Sequence, residues 1–215
     1  MKLNKLCLLP CLAILVGCGI PKEVKTELAL IENSRSSTGV IEDFKISKDG
    51  KTYREIYEDK KYDDRNGRLS VYYQEKGLSS LEETAPSYEI SEEVYYDGNY
   101  SYSLGTDQVY AKEKNNKEFS YFELTYNFEL VSEWVFTKDG FRNKLEGVVT
   151  QDKAVEFLGG GNETTSAVKV NTVSNGTNLQ TLELSYQQNG FDVYRKFTYS
   201  YINVDIVLPI LVVTK

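Results

Sequence analysis

From Val40 onwards, apolar and polar residues alternate with a period of two, in runs that short turn sequences separate. This alternation puts the apolar side chains of each run on one face, and it is typical of half-buried β-strands. Asp-Gly and Asn-Gly pairs, which favour two-residue hairpin turns, stand between the runs. The sequence therefore predicts an antiparallel meander with turns at 49–50, 97–98, 139–140, 175–176 and 189–190.

Two short segments have a helical pattern instead. Residues 22–33 combine helix-forming composition with apolar residues at i, i+4 and i+7 (Val24, Leu28 and Ile31), which predicts an amphipathic helix that covers an apolar surface. Residues 150–159 predict a second, short helix that ends at a glycine.

The segment 123–136 (ELTYNFELVSEWVF) has two interpretations. Its even-numbered positions, apart from Ser132, are aromatic or leucine, as in a strand with one apolar face. Because Thr, Tyr, Phe, Val and Trp dominate, we favour a long strand with a bulge or curvature. The apolar residues at 124, 128, 131 and 135 also fit helical spacing, so a helix is the alternative.

The fold class that follows is mainly β (α+β). We expect a curved antiparallel sheet or incomplete β-barrel of about 9–11 strands, covered by one N-terminal and one short internal helix. The apolar, β-branched stretch 202–213 contains Pro209, which fits an edge or terminal strand. Nothing between residues 22 and 215 has the composition of an interdomain linker, so this range is expected to form a single domain.

Composition excludes several classes of catalytic site. The chain has no histidine, and its three cysteines are Cys7, Cys11 and Cys18. Ser-His-Asp triads, Cys-His dyads and Cys-His zinc sites are therefore excluded. The adjacent carboxylates at 82–83 and 92–93 are expected at the solvated surface, although such pairs could also nominate a glycosidase. We expect no enzymatic activity, no catalytic residues, no metal ligands and no cofactor.

Residues 1–17 have the layout of a secretory signal peptide. Lys2 and Lys5 form a positive start, and an uncharged, mostly apolar stretch follows up to Val16. This stretch is shorter than the roughly 20 residues that a transmembrane helix needs. The alternative of a single membrane-spanning anchor is therefore disfavoured.

The sequence Leu15-Val16-Gly17-Cys18 looks like a bacterial lipobox. This resemblance implies cleavage before Cys18 and attachment of a diacylglycerol, with acyl chains such as palmitate, to its thiol. An ordinary signal peptide that happens to end in cysteine is the alternative. Residues 18–21 would form a lipidated tether. We expect an extracytoplasmic protein anchored by its lipid to the bacterial cell membrane or envelope.

The net charge is −7, and cleavage would make it more negative because the leader contains two lysines. An acidic chain is unfavourable for nucleic acid, and no basic stripe is present that would hold an anionic membrane surface. We therefore expect no nucleic-acid partner and membrane contact through the lipid anchor. No feature of the sequence identifies a protein partner.

Aromatic residues are abundant, with seventeen Tyr, nine Phe and one Trp. Packing against cross-strand neighbours explains most of them. A subset on one face could line an apolar concavity, because tyrosine combines an apolar ring with a polar hydroxyl. The candidate ligand-binding residues are Leu124, Tyr126, Phe128, Leu130, Trp134, Phe136, Val71, Tyr73, Tyr100 and Tyr102.

The order of these features resembles the Lol-type lipoprotein carrier superfamily (LolA/LolB-like), and within it the LppX/LprG-type lipid-binding lipoproteins. The segments that carry the resemblance are 133–136 (EWVF), 152–158 (DKAVEFL) and 197–209 (FTYSYINVDIVLP). The resemblance implies an incomplete barrel closed by helices, with an apolar cavity between sheet and helices that holds a lipid or acyl chain. It transfers no individual residue as an essential contact.

Two functions from different classes remain open. The first is a membrane-anchored lipoprotein that binds or carries an apolar ligand, such as a lipid or acyl chain. The second is a non-enzymatic cell-envelope domain that binds a protein or glycan. The size and lining of the cavity between the sheet and residues 22–33 distinguish them, because a filled core there would favour the second.

Overall fold

The computed structural model describes residues 20–80, 82, 84–105, 108–114, 126–160, 165–210 and 212–214. Its helices are α1 (Lys22–Asn33) and α2 (Gln151–Phe157), and two 3₁₀ turns span Ser34–Ser36 and Phe128–Leu130. Among the described residues, neither helix has the length and apolar character that a membrane crossing needs. The strands are β1 (Gly39–Lys48), β2 (Lys51–Asp63), β3 (Arg68–Leu78), β4 (Ser87–Tyr96), β5 (Tyr100–Leu104), β6 (Tyr110–Lys114), β7 (Ser132–Asp139), β8 (Arg142–Val149), β9 (Val168–Ser174), β10 (Leu179–Gln188), β11 (Phe191–Ser200) and β12 (Val212–Thr214).

All twelve strands belong to one curved, unclosed sheet with the order β12-β6-β5-β4-β3-β2-β1-β11-β10-β9-β8-β7. Neighbours are antiparallel except β6 and β12, which are parallel. Pairing of β1 with β11 joins the meander β1–β6 to the meander β7–β11. The predicted fold class is confirmed, and the described residues contain one strand more than the upper end of the expected range.

The hairpins form where the turn sequences predict them. At two of them, both central residues have positive φ, as a type I′ turn requires. These are Asp49 and Gly50, at 52° and 76°, and Asn189 and Gly190, at 51° and 81°. The second of these turns sets the register of β10 against β11.

Helix α1 forms over the residues that the apolar spacing predicts. Val24 and Ile31 are buried, and the helix packs on β7, β8 and β10. Glu27 lies on the same face and is only 3% exposed. Its carboxylate accepts a hydrogen bond of 2.7 Å from Asn143 Nδ2 on β8, which compensates the cost of burying it.

The hydrophobic core lies in the half of the sheet formed by β1 and β7–β11. Leu145, Leu182 and Leu184 are fully buried there beneath the two helices. From α2, Phe157 also lies in this core with no exposed surface. The other half, which we call the wing, comprises β2–β6. Among its described residues, Tyr53 and Tyr102 are the buried apolar side chains.

The face of the sheet under the helices, here called the helix-side face, continues into the wing. Strand pairing aligns one row of residues across it: Leu184, Arg195, Phe44, Ile56 and Glu75. Glu75 is a carboxylate in the middle of this face, and it is only 7% exposed.

Glu75 is held by four hydrogen bonds from three side chains. Arg54 donates from Nε at 2.9 Å and from Nη2 at 3.1 Å, and the hydroxyls of Tyr73 and Tyr88 also donate to it. The arginine, aided by both hydroxyls, lowers the pKa of Glu75 from 4.5 to about 2. Tyr73, a candidate ligand-binding residue, thus takes part in a polar network of the wing.

The substitution Glu75→Gln is expected to lower the free energy of unfolding by about 2 kcal/mol at pH 7, because it removes the charge that Arg54 pairs with. The folded pKa lies below the unfolded one, so the stabilisation is present above about pH 4.5 and is lost as the pH falls towards 2. Urea unfolding of both proteins at pH 7, 4 and 3 measures this. A difference that stays constant over this range would contradict the assigned pKa.

The interpretation of 123–136 as one long strand is wrong for residues 126–131, and residues 123–125 lie outside the described residues. The side chain of Asn127 accepts a 3.1 Å hydrogen bond from the Glu129 N–H and caps the 3₁₀ turn Phe128–Leu130. Strand β7 begins only at Ser132, and Glu133 has a φ of +55° where its register shifts. The helical alternative does not form at residues 126–131 either. The hydrogen bond from this side-chain cap stabilises a 3₁₀ turn where the apolar alternation predicts a strand.

The stretch 202–213 is only partly a strand. Residues 201–210, which we call the strap, have no regular structure. Ile206 fixes the strap to the β2–β3 hairpin, since its N–H donates to Asp63 at 3.2 Å and its carbonyl accepts from Arg68 at 2.8 Å. The expected edge strand is confirmed as β12, but Pro209 lies in the strap before it.

Candidate functional site

A cavity of about 570 Å³ lies between α1, the 3₁₀ turn Phe128–Leu130 and the start of β7. This volume falls within the range of about 300–1,000 Å³ that is typical of small-molecule sites. It lies beside residues 22–33, at the β7 edge of the sheet. The lining residues are Ile20, Leu28, Ile31, Glu32, Tyr126, Asn127, Phe128, Glu129, Val131 and Trp134.

Helix α1 provides one wall. Leu28, Ile31 and Glu32 are spaced i, i+3 and i+4, so they project from the same side of the helix. Ile31 also belongs to the hydrophobic core and is 3% exposed, whereas Leu28 is half-buried at the margin of that core. The helix therefore fixes the apolar wall to the sheet and presents a carboxylate beside it.

Aromatic rings form the opposite wall, and core contacts hold two of them. The Tyr126 ring stacks on Phe157 of α2 at a centroid distance of 5.2 Å, and the Phe128 ring meets the same phenylalanine edge-on at 5.8 Å. Burial raises the pKa of Tyr126 to about 12, so its hydroxyl is neutral at physiological pH. The rings of this wall are therefore apolar and uncharged.

Trp134 reaches its position because Gly147 of β8 has no side chain. A Cβ atom at Gly147 would lie 2.6 Å from Trp134 Cε3 and 2.5 Å from Val131 Cγ1. Both contacts are much shorter than carbon atoms tolerate. The glycine therefore lets the indole ring and Val131 pack directly on the sheet. The alternation of apolar residues does not reveal this role, although a glycine inside a strand often marks such a close approach.

An ion pair lies beside the aromatic wall on the helix-side face. Arg195 Nε donates to Glu42 Oε1 at 2.9 Å. The guanidinium carbon of Arg195 is 5.4 Å from the ring centroid of Phe197 and 5.9 Å from that of Tyr126. This pair explains why Glu42 interrupts the apolar alternation of β1. Each charge is compensated by the other, so removal of either partner would leave an uncompensated charge at the margin of the core.

The candidate ligand-binding residues from 124–136 separate into three groups. Tyr126, Phe128 and Trp134 line the cavity. Leu130 and Phe136 are outside the described lining, since Leu130 packs against the core and Phe136 lies farther along β7. Leu124 lies outside the described residues.

The candidates from the meander lie in the wing, away from this cavity. Val71 and Tyr73 are on the helix-side face of β3. Tyr100 and Tyr102 project from the opposite face of β5, where Lys112 Nζ lies 3.9 Å from the Tyr100 ring centroid. The Tyr102 hydroxyl donates to Asp97 at 2.6 Å. The structure does not bring these four residues to the cavity.

Other lining residues were not candidates in the sequence. Leu28 and Ile31 were predicted as the apolar face of a helix but not as ligand contacts. Val131 has the wrong parity for the expected strand, and the irregular backbone at 126–131 brings it into the lining. The polar lining residues Glu32, Asn127 and Glu129 had no distinguishing sequence signal.

Within the described residues, no three His, Cys, Asp or Glu side chains gather closely enough to hold a metal ion. The lipobox residues Leu15, Val16, Gly17 and Cys18 lie outside the described residues. The first described residue, Ile20, lines the cavity and is half-exposed.

No family model matches the chain, and no curated protein matches it. Among solved structures, it is similar to LprF from Mycobacterium bovis, with 12% identity, a TM-score of 0.46, and coverage of 90% of this chain and 98% of that one.

Two further structures cover much of the chain at lower scores. One is the dehydratase domain from the terminal module of the rifamycin polyketide synthase, with 8% identity, a TM-score of 0.23, and coverage of 88% of this chain and 82% of that one. The other is the erythromycin dehydratase, with 11% identity, a TM-score of 0.17, and coverage of 85% and 81%.

Proposed function

We propose that this chain is an extracytoplasmic, membrane-anchored lipoprotein that binds an apolar ligand, such as a lipid or acyl chain, in the cavity between α1 and β7. The observation that carries the proposal is the cavity of about 570 Å³. Six of the ten described lining residues are leucine, isoleucine, valine, phenylalanine or tryptophan. An open apolar cavity exposes surface to water, and a hydrocarbon tail that fills it gains roughly 25 cal/mol for each Å² that it buries.

The polar groups of the lining support a ligand with a tail and a head. Glu32 and Glu129 are exposed to solvent, whereas Ile31 and Val131 are buried. A tail among the apolar residues would therefore leave its head beside the two carboxylates. This gradient from apolar interior to polar margin is the usual design of a lipid site.

The anchor and the single domain are part of the same proposal. Residues 15–18 support lipidation at Cys18, and Ile20, two positions later, lines the cavity. The cavity would thus open near the point where the tether leaves the membrane. One continuous sheet joins the described strands, which supports treating 22–215 as one domain.

Ligand binding is tested by native mass spectrometry of the purified chain and by fluorescence. Trp134 is the only tryptophan and lines the cavity, so a brominated alkyl ligand bound there should quench its emission saturably. A copurified lipid mass together with saturable quenching is the expected result. Absence of both would contradict the proposed function.

Lipidation gives a second prediction. The substitution Cys18→Ala is expected to abolish incorporation of labelled palmitate and to release the protein from the membrane fraction, because the thiol is the proposed attachment atom. Cys11→Ala is the matched control and should label normally. Labelling of the Cys18→Ala chain would exclude this anchor site.

The strap favours a second candidate function, a cell-envelope interaction domain with a protein partner. It exposes aliphatic side chains, including Ile202 at 77% and Ile210 at 93%, and contiguous exposed apolar residues often mark contact surfaces. Photocrosslinking in cells from position 210 tests this function. A defined crosslinked protein would favour it, whereas no crosslink together with a ligand bound in the cavity would favour the first.

A further inference from the structure

We propose that the cavity selects its ligand by head-group charge, and prefers an amphiphile with a cationic head to an anionic one with the same tail. The inference rests on the proposed function and specifies the ligand class. Two features of the described cavity support it: two carboxylates and an aromatic wall.

The carboxylates are those of Glu32 and Glu129. Both line the cavity, and the described lining contains no lysine, arginine or histidine. Neither takes part in the salt bridges formed among the described residues. Their charges are therefore available to a ligand head, and they would repel a carboxylate or phosphate placed between them.

Glu32 lies in the last turn of α1, where the carbonyls of Ile31 and Asn33 accept hydrogen bonds from the hydroxyls of Ser34 and Ser36. The negative potential at this end of the cavity therefore comes from the Glu32 carboxylate itself. A cationic head beside Glu32 would interact favourably with that carboxylate.

The aromatic residues also favour a cation. Tyr126, Phe128 and Trp134 line the cavity, and the faces of such rings attract ammonium groups. The positive charge of the nearby Arg195 does not prevent a cation from binding there, because Arg195 is paired with Glu42. An alkylammonium ligand can therefore place its tail among apolar residues and its head between rings and carboxylates.

Three decyl compounds with one tail and different heads test the inference on the full chain. Decyltrimethylammonium, decanol and decanoate are titrated at low salt, with the fluorescence of Trp134 as the signal. We expect the cation to bind about tenfold more tightly than the anion, with decanol between them. The ratio should shrink as salt is added, because the carboxylates are exposed and screened.

A double variant assigns the preference to these carboxylates. Glu32→Gln with Glu129→Gln should bring the cation-to-anion ratio close to one and leave decanol binding unchanged. Both residues are exposed, so urea unfolding should match the parent chain. Glu23→Gln is the control, because Glu23 is exposed on α1 but absent from the described lining.

The outcomes separate the inference from the proposed function. Equal binding of the three compounds, tighter binding of decanoate, or a preference that survives the double variant would overturn the inference alone. If none of the three compounds binds, the proposed function fails together with it.

Discussion

Gly147→Ala is expected to lower the free energy of unfolding by about 1–3 kcal/mol, the usual cost of overpacking a tightly filled site. The added Cβ would lie 2.5 Å from Val131 Cγ1 and 2.6 Å from Trp134 Cε3, so both side chains must move. Their displacement shifts one wall of the cavity. We therefore also expect weaker ligand binding and a changed emission of Trp134. Urea unfolding and a ligand titration measure the two effects.

Gly39→Ala is the matched control. Gly39 is also a buried strand glycine, but a Cβ atom there would lie 3.4 Å from its nearest neighbours, which is ordinary contact. Its unfolding free energy should change by less than about 1 kcal/mol. Equal effects at the two glycines would show that Trp134 does not depend on close packing at Gly147.

Leu28→Trp is expected to weaken the binding of a neutral fluorescent alkyl probe by at least about tenfold. Leu28 lines the cavity and is half-buried, so a larger ring at this position occupies ligand volume. The helix itself should remain folded, because Val24 and Ile31 still fill the core. Fluorescence anisotropy of the probe measures the affinity, and circular dichroism confirms the fold.

Leu30→Trp controls for the substitution itself. Leu30 is also a half-buried leucine of α1, and it is absent from the described lining. Its variant should bind the probe like the parent chain. If both variants bind normally, the ligand does not occupy the space beside Leu28.

The local parts of the fold are predictable because they depend on neighbouring residues. The spacing of Val24, Leu28 and Ile31 determines one face of α1, and the dipeptides at 49–50 and 189–190 adopt the backbone conformation that a tight hairpin needs. Each of these patterns involves only a few neighbouring residues, so the helices and most hairpins can be predicted from the sequence.

The cavity depends on contacts between distant parts of the chain, and most of its lining could not be predicted. The strand expected at 123–136 is interrupted because Asn127 caps a 3₁₀ turn, a local hydrogen bond that the alternation does not reveal. Trp134 lies close to the sheet only because Gly147, on a different strand, leaves space. Three aromatic candidates line the cavity because they belong to this one segment.

Other aromatic candidates lie in the wing, where they take part in polar contacts. Tyr73 binds Glu75, and Tyr102 binds Asp97, through their hydroxyls. These tyrosines have the alternation expected of residues that line a concavity, yet they satisfy buried or half-buried carboxylates. Their hydrogen-bond partners are not evident from spacing.

The central claim is that an apolar ligand lies between α1 and β7. Photocrosslinking with a decyl chain that carries a terminal diazirine, followed by peptide mass spectrometry, tests this most directly. We expect the label in the peptides that contain residues 22–33 and 126–136, and we expect excess decanol to compete it away. Saturable, competed labelling confined to the wing or the strap would contradict the claim.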